Sequence, residues 1–485
     1  MNPGNKPDNE ILETDIVVIG GGGSGLSAAV AAAQKGARVT LLERRRSLGG
    51  NSKRALGIFA AESPLQRRLR IDTSRDVCFQ LAMAYSHNKI NPRIFRAFVN
   101  KSGDTVRWLQ EQGLKFFDVP SFFPGQLVRT WHCPKGGGAA FINILIKSGK
   151  ALGVQLITQA RAKRLLLDEK GNVAGILATR KGEPLQIKAK SVVIATGGYA
   201  GNKKLIAKYY PLDTSNMFRI GLPHTGDGLQ IVTGIGADTE GLGTLQMTGP
   251  GFPGSLPLSY LAKDPNAIWI NKKGERFIDE RAGLKQFEGV NAMLRQPDQT
   301  CFTVFDFGVR QFLIENGLTA GRGLTYREQR VSATAWVDDF QKEVGKGTVK
   351  TTDSWDEMAD WMGVDSAVLK ATIEDYNMGC DTGYDPIYGK SRSNLKPLRT
   401  PPYYALRCYP GLLTTIGGIK INEYWQVIGK NDRPIPGLYA GGNDTGGWVS
   451  DTYDINLAGV TFGYAINSGR IAGENAAKFV LEGKP

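Results

Sequence analysis

A chain of 485 residues with 41% hydrophobic and 22% charged residues has the composition of a globular protein, which excludes disordered and fibrous classes. That length exceeds what one simple core accommodates, so two domains are expected. Sixty Lys and Arg against 46 Asp and Glu give a formal charge of +14, but the basic residues are dispersed and the one dense run, Arg44 to Arg46, follows a predicted strand, so no nucleic-acid-binding stripe is indicated.

The start, Met1 to Thr14, is polar and lacks the apolar centre of a secretion signal. No run approaches the roughly eighteen apolar residues of a membrane span, and a cytoplasmic chain is expected. Thr14 to Gly20 (TDIVVIG) reads as a buried strand, and Gly23 to Gly36 as an alanine-rich helix ending in glycine. Between them lies Gly20-x-Gly22-x-x-Gly25, with Ser24 inside the turn. In this strand-turn-helix setting the first glycine makes the turn, the second lets backbone approach a pyrophosphate, and the third packs helix on strand. The helix N-terminus then offers free N–H groups to the phosphates. A second strand, Arg38 to Leu42, ends in Glu43, eighteen residues after Gly25, where a carboxylate accepts hydrogen bonds from ribose hydroxyls. Arg44 is assigned to the nucleotide beside it.

Further along come Leu48-Gly49-Gly50-Asn51-Ser52, then a strand ending in glycines (Val192 to Gly198, with Ala195, Thr196 and Gly197 at its end), then Gly437 to Gly442 of the same form, followed by Asn443. There is no second GxGxxG in strand context, so separate sites for FAD and a pyridine nucleotide are disfavoured. Three strand ends converging on one long ligand favour FAD. Between these segments, Ser354 to Met378 reads as amphipathic helix with Ser and Asp cap candidates. The five cysteines are scattered and odd in number, which argues for reduced thiols. Three histidines, His87, His132 and His224, are little raw material for a metal site or a triad, and no metal is expected.

Taken together, GGGGSGLSAA, LGGNS, HCPKGGG, VVIATGGY, the Thr225-Gly226-Asp227-Gly228 turn, NKKGERFIDE, Thr415-Ile416-Gly417-Gly418, GLYAGGNDTGG and the closing SGRIAGENAA resemble the fumarate reductase and succinate dehydrogenase flavoprotein family, which includes the 3-ketosteroid dehydrogenases. The resemblance implies an α/β fold, a Rossmann-type FAD-binding domain at 1–242 and 415–485, with an inserted α+β capping domain at 243–414. It also assigns Gly57, Gly136, Gly137, Ala162, Asp227, Gly442, Leu457 and Ala458 to the cofactor. The last helix, from Leu457 or Ala458 to Leu481, aims its N-terminus at the flavin, where its dipole favours negative charge. Covalent relatives carry a histidine where this chain has Asn51, so FAD is expected to be non-covalent. With no haem motif and no cysteine cluster, electrons must come from an external donor, a protein or a reduced flavin or nicotinamide.

In the fumarate reductases an arginine protonates the substrate while flavin N5 supplies hydride. The matching segment, Phe305 to Arg310, assigns Arg310 that role by resemblance; ion pairing that holds the capping domain is the alternative. Arginine's pKa lies above about 12, so a carboxylate relay is needed. Glu280 stands at the family's relay position, with Arg281 in place of the relay arginine. His132 reads as a positioning partner beside the flavin, while a structural role for His224 stands equally. The family's carboxylate-gripping histidines and arginine are replaced by Thr248, Thr414 and Asn456, which makes fumarate a poor substrate. Tyr453, in Ser450 to Asp454, either polarises a substrate carbonyl or phenol, with Asp451 or Asp454 assisting, or packs on Trp448. Phe122, Phe123 and Trp131 are candidates for an apolar wall.

These assignments describe hydride exchange with an activated carbon–carbon double bond in a bulky, weakly anionic substrate such as a ketosteroid or flavonoid-type compound. The alternative is a fumarate-like carboxylate reductase, which requires Arg281, Arg407 or Lys420 to replace the lost anchors.

Overall fold

A computed structural model describes residues 10–320 and 334–483; the polar start from Met1 to Asn9 lies outside them. Its centre is a six-stranded sheet in the order Gln426–Ile428, Pro434–Ala440, Ser191–Ile194, Ile16–Ile19, Val39–Glu43, Gln155–Thr158. All pairings are parallel except that of the Gln426–Ile428 edge strand. Ile16–Ile19 and Ser191–Ile194 are buried at every position, as a strand covered on both faces requires. A four-stranded sheet (Glu10–Glu13, Glu183–Lys188, Val173–Arg180, Ala160–Leu167) packs beside it.

The helix Gly23–Gln34 runs against the C-terminal helix Val460–Glu482. The contact is close because small residues meet: a Cβ on Gly469 would stand 2.0 Å from the Ser24 carbonyl oxygen, and one on Gly473 2.2 Å from that of Ala28. The C-terminal helix starts later than the sequence suggests. Ile455–Leu457 forms a separate short 3-10 turn, and the chain reverses at Gly459, whose φ is +87°.

The inserted part is built on one long strand, Tyr403–Thr415. It pairs with Cys301–Phe305, Val349–Thr352 and Leu245–Gly251, and Ile268–Ile270 extends the sheet beyond Cys301–Phe305. This sheet also recruits Phe218–Arg219, upstream of position 243, in register with Gly411 and Leu412. The helices Trp355–Met362 and Ser366–Thr382 start at side-chain caps from Ser354 and Asp365 and stop at left-handed Gly363 and Gly383. The whole is a Rossmann-type α/β domain carrying an inserted α+β domain. No helix among the described residues is long and apolar enough to cross a membrane.

Candidate active site

A cleft opens where the parallel strands end, the place where open α/β sheets bind ligands. Gly20, Gly22 and Ser24 line it at the first strand, Glu43 and Arg44 at the second, and Gly50, Asn51 and Ser52 in the following turn. Ala162, Ala195, Thr196, Gly197, Asp227, Gly442 and Asn443 complete the walls, joined by Arg45, Arg161, His224, Thr225 and Gly441, which sequence reasoning had not assigned to the cofactor. Gly25 sits behind the turn, where a Cβ would stand 1.8 Å from the Gly20 carbonyl oxygen. Gly57, Gly136 and Gly137 lie outside this lining. Gly57 packs on Trp131, and Gly136 precedes the helix Gly137–Ala151. Leu457 and Ala458 stand in the turn before the last helix, where Thr130 Oγ1 donates to the Ala458 carbonyl at 3.0 Å.

The cleft fits FAD on its own chemistry. Ser24 Oγ, His224 Nδ1 and Asn443 Oδ1 are buried without a hydrogen-bond partner, and all three residues face it. Buried polar atoms of this kind call for a ligand that satisfies them. The helix Gly23–Gln34 begins at Gly22, which has no side chain to cap its first N–H groups; that of Gly23 donates to Ser52 Oγ at 3.2 Å, and those that follow are left for an anion. An added Cβ on Gly22 would meet nothing within 4 Å, so backbone is presented directly to the cleft.

The surrounding polar groups fix these walls. Glu43 accepts from the N–H of Gly21 at 2.9 Å and of Arg45 at 2.8 Å, which locks the turn while the carboxylate faces the cleft. Arg44 donates to Thr225 Oγ1 at 2.6 Å, and Arg161 grips Asp227 at 2.8 Å. Burial pushes the Asp227 carboxyl up, but Arg161, Thr225 and Arg44 together hold it below the usual range. Burial, reinforced by Arg44 and Arg45, lowers His224 to about 4, so its ring is a neutral hydrogen-bonding group. Asn51 Oδ1 accepts from Leu222 N at 2.7 Å. An amide there supplies no nucleophile for a flavin attachment. Asp444, missed in the sequence, gathers the N–H groups of Thr196, Gly197 and Gly198 and the Thr196 hydroxyl, shaping the Ala195–Gly198 wall.

The residues given proton-transfer roles are not brought together. Glu280 is fully buried in the inserted domain, held by Arg276 Nε at 2.9 Å, Lys390 Nζ at 3.0 Å and the Trp269 N–H at 3.2 Å. Arg276 also reaches Asp385 at 3.0 Å, so two cations and two carboxylates balance. Burial pushes the Glu280 carboxyl up, and Lys390 and Arg276 pull it below its ordinary value overall. Arg310 instead lies 5.9 Å over the Tyr404 ring, on the helix Phe307–Asn316. The relay from Glu280 to Arg310 is therefore absent among the described contacts, because ion pairing inside the inserted domain occupies the carboxylate. Arg281 does not stand in: it is held by Asp279 at 2.6 Å and by the Gly389 carbonyl.

Tyr453 is buried, edge-on to Phe287 at 4.8 Å, and its hydroxyl accepts the Thr461 N–H at 3.3 Å, capping the last helix. Thr248 donates to Gln286 Oε1 at 2.9 Å, Thr414 accepts from Asn443 Nδ2 at 3.1 Å, and Asn456 donates to Asp454 Oδ1 at 2.8 Å. Of the alternative anchors, Arg407 lies over Phe302 and Trp361, and Lys420 pairs with Asp238 and Asp432.

A small pocket, with free space of about 10 Å³, lies at the inserted domain beside Gln286 and is walled by Phe122, Phe123, Tyr260, Lys263 and Leu284. Phe122 packs edge-on against Trp131, and Gln126 Nε2 donates to the Asn456 carbonyl at 2.8 Å, so this wall abuts the turn before the last helix. From the cleft, Asn443 reaches Thr414, whose strand neighbour Gln246 accepts from Thr461 Oγ1 at 3.0 Å.

Comparison with known proteins agrees with this geometry. The family profile described as FAD binding domain matches residues 15–456. A vinyl phenol reductase of Lactiplantibacillus plantarum is 32% identical over 96% of both chains. The open form of a flavocytochrome c3 fumarate reductase superposes with a TM-score of 0.78, at 28% identity, covering 97% of this chain and 79% of that one. A 3-ketosteroid-Δ4-(5α)-dehydrogenase of Rhodococcus jostii RHA1 shares the fold, with a TM-score of 0.76 at 24% identity over 97% and 98% of the two chains.

Proposed function

Because the chain belongs to the FAD binding domain family and is an FAD-dependent oxidoreductase of carbon–carbon bonds, we propose that it reduces a double bond conjugated to an aromatic ring or a carbonyl. The substrate is bulkier and less anionic than fumarate, in the class of phenolic, flavonoid-type or ketosteroid ring systems. One observation carries this reading: Thr248, Thr414 and Asn456 are neutral and already hydrogen-bonded to protein. A dicarboxylate placed there forfeits charge-assisted hydrogen bonds of roughly 1.5 to 3 kcal/mol each. The relative that acts on vinyl phenol supports the same substrate class.

When bound, FAD supplies the hydride. The rest is done by protein groups. The first-turn N–H groups of Gly23–Gln34 hold the diphosphate, with Glu43 at the ribose. Tyr453 fixes the start of the last helix by capping Thr461, and that helix's dipole favours negative charge ahead of its N-terminus.

The test is anaerobic: photoreduce the flavoprotein, add 4-vinylphenol, a cyclic enone or fumarate, and follow flavin reoxidation. Reoxidation by the aryl alkene or the enone at least about 100-fold faster than by fumarate is expected, since loss of two charge-assisted bonds costs roughly that factor or more. Equal or faster reaction with fumarate sinks the reading in favour of a carboxylate reductase.

A further inference from the structure

Two histidines are buried among the described residues, and their rings are treated differently. Both ring nitrogens of His132 meet protein groups, Nδ1 at 2.8 Å from the Thr130 carbonyl and Nε2 at 2.6 Å from Ser63 Oγ. His224, 8% exposed, lines the cofactor cleft with its Nδ1 buried and unpartnered. A polar atom orphaned in this way costs free energy until a ligand meets it. The ring is also held in place. It belongs to a strap, residues 222–227, that is tied down along its length. The Leu222 N–H donates to Asn51 Oδ1 at 2.7 Å, and the Gly201 N–H donates to the His224 carbonyl at 2.7 Å. Arg44 donates to the Pro223 carbonyl at 3.1 Å and to Thr225 Oγ1 at 2.6 Å, so it brackets the histidine from both sides. Arg161 fastens the far end through Asp227 at 2.8 Å. Bare backbone makes room for the ring, since a Cβ at Gly197 would stand 2.9 Å from His224 Nε2. Arg44 directly follows Glu43, whose carboxylate stands at the strand end where a dinucleotide places its ribose. His224 therefore belongs to the adenosine end of the cleft.

We propose that His224 recognises the adenosine half of FAD through a hydrogen bond from its ring, and so selects the dinucleotide over a flavin mononucleotide. A neutral imidazole carries one donor and one acceptor, and a nucleoside presents groups of both kinds. Burial, with Arg44 and Arg45 beside it, holds the ring in that neutral form. The other polar side chains of the strap are already engaged. Thr225 Oγ1 accepts from Arg44 and donates to Asp227 Oδ1 at 2.7 Å, and Asp227 is gripped by Arg161. His224 is left with a ring nitrogen to spare. A mononucleotide ends at its phosphate and cannot reach it. Which alkene the enzyme reduces has no bearing on this contact, which concerns the cofactor alone.

The test uses the full chain, stripped of flavin and titrated with FAD or with ADP, which carries adenosine and diphosphate but no flavin. His224→Phe keeps a ring in the space and removes the hydrogen bond. Its dissociation constant for FAD is expected to rise about 5- to 50-fold, the range for one buried hydrogen bond, and that for ADP by a similar factor. The chain holds three histidines, so the ring ¹⁵N spectrum of histidine-labelled protein is simple. The signal missing from His224→Gln is expected to move when ADP is added to the parent. Unchanged FAD affinity in His224→Phe overturns the proposal. So does an ADP constant that stays put while the FAD constant rises, which marks a contact to the flavin half. A His224 signal unmoved by ADP, whether ADP binds elsewhere or not at all, overturns it too. If His224→Phe fails to fold, the ring signal decides by itself. A parent that takes up no FAD brings down the cofactor assignment together with the proposal, whereas a parent that binds FAD but is reoxidised by no alkene sinks only the substrate reading.

Discussion

His132 and His224 are the two histidines the sequence marked near the cofactor, and both are kept neutral. His132 is 0% exposed, with Nδ1 against the Thr130 carbonyl at 2.8 Å and Nε2 against Ser63 Oγ at 2.6 Å. Burial lowers each to about 4, against roughly 6.5 in an unfolded chain. Between those values the unfolded state binds protons that the folded rings refuse, so stability rises with pH and is lost on acidification from about 6.5 towards 4. Each ring contributes on the order of 3 kcal/mol to that loss. In urea titrations, His132→Gln is expected to show a shallower decline over this window than the parent; identical slopes would falsify the assignment of His132 as a buried neutral ring. At this scale, legibility followed locality. Glu43, Asn51 and Ser52 were readable because the turn that places them is contiguous in sequence. Residues placed by partners distant in sequence were not. Asp444 was hidden for the same reason, since its partners at Thr196 to Gly198 belong to another strand end.

Among the elements, the pair of helices Gly23–Gln34 and Val460–Glu482 sets the position of the nucleotide turn. Their spacing is fixed by Gly469 and Gly473 against Ser24 and Ala28, so a side chain at Gly473 must push the first helix away from the cleft it opens onto. Gly473→Val is expected to cost about 1 to 3 kcal/mol through overpacking and to lower the flavin content of the purified protein. Both are read from urea unfolding and from the ratio of flavin to protein absorbance. Full flavin occupancy with parental stability sinks the idea that this contact positions the turn. The central strands were visible as apolar runs, and the helices after Ser354 and Asp365 as capped amphipathic segments. The two-residue strand Phe218–Arg219 was invisible: a strand so short has no periodicity, and only its partner Gly411–Leu412 makes it one. The ion pairs of Glu280 were hidden for a related reason. The motif around it was plain, but Asp385 and Lys390, which pair with Arg276 and Glu280, come about a hundred residues later.

For the molecule as a whole, the formal charge of +14 bears on how electrons arrive. A positively charged surface raises the local concentration of anionic partners and speeds their encounter, and salt screens the effect over a length of about 10 Å at 0.1 M. An acidic electron-carrier protein is the donor this charge favours. A small donor of at most one charge, such as reduced riboflavin, gains little from the same field. The bimolecular rate of flavin reduction by an acidic carrier protein is therefore expected to fall at least about tenfold between 10 mM and 500 mM salt, as steered association does. Reduction by reduced riboflavin is expected to fall far less across the same range, because a single charge feels a much weaker Coulomb attraction than a highly charged protein. Stopped-flow measurement of both donors separates steering from any general effect of salt on the cleft. Parallel salt responses in the two series remove the carrier-protein argument and leave the excess of Lys and Arg as ordinary surface charge.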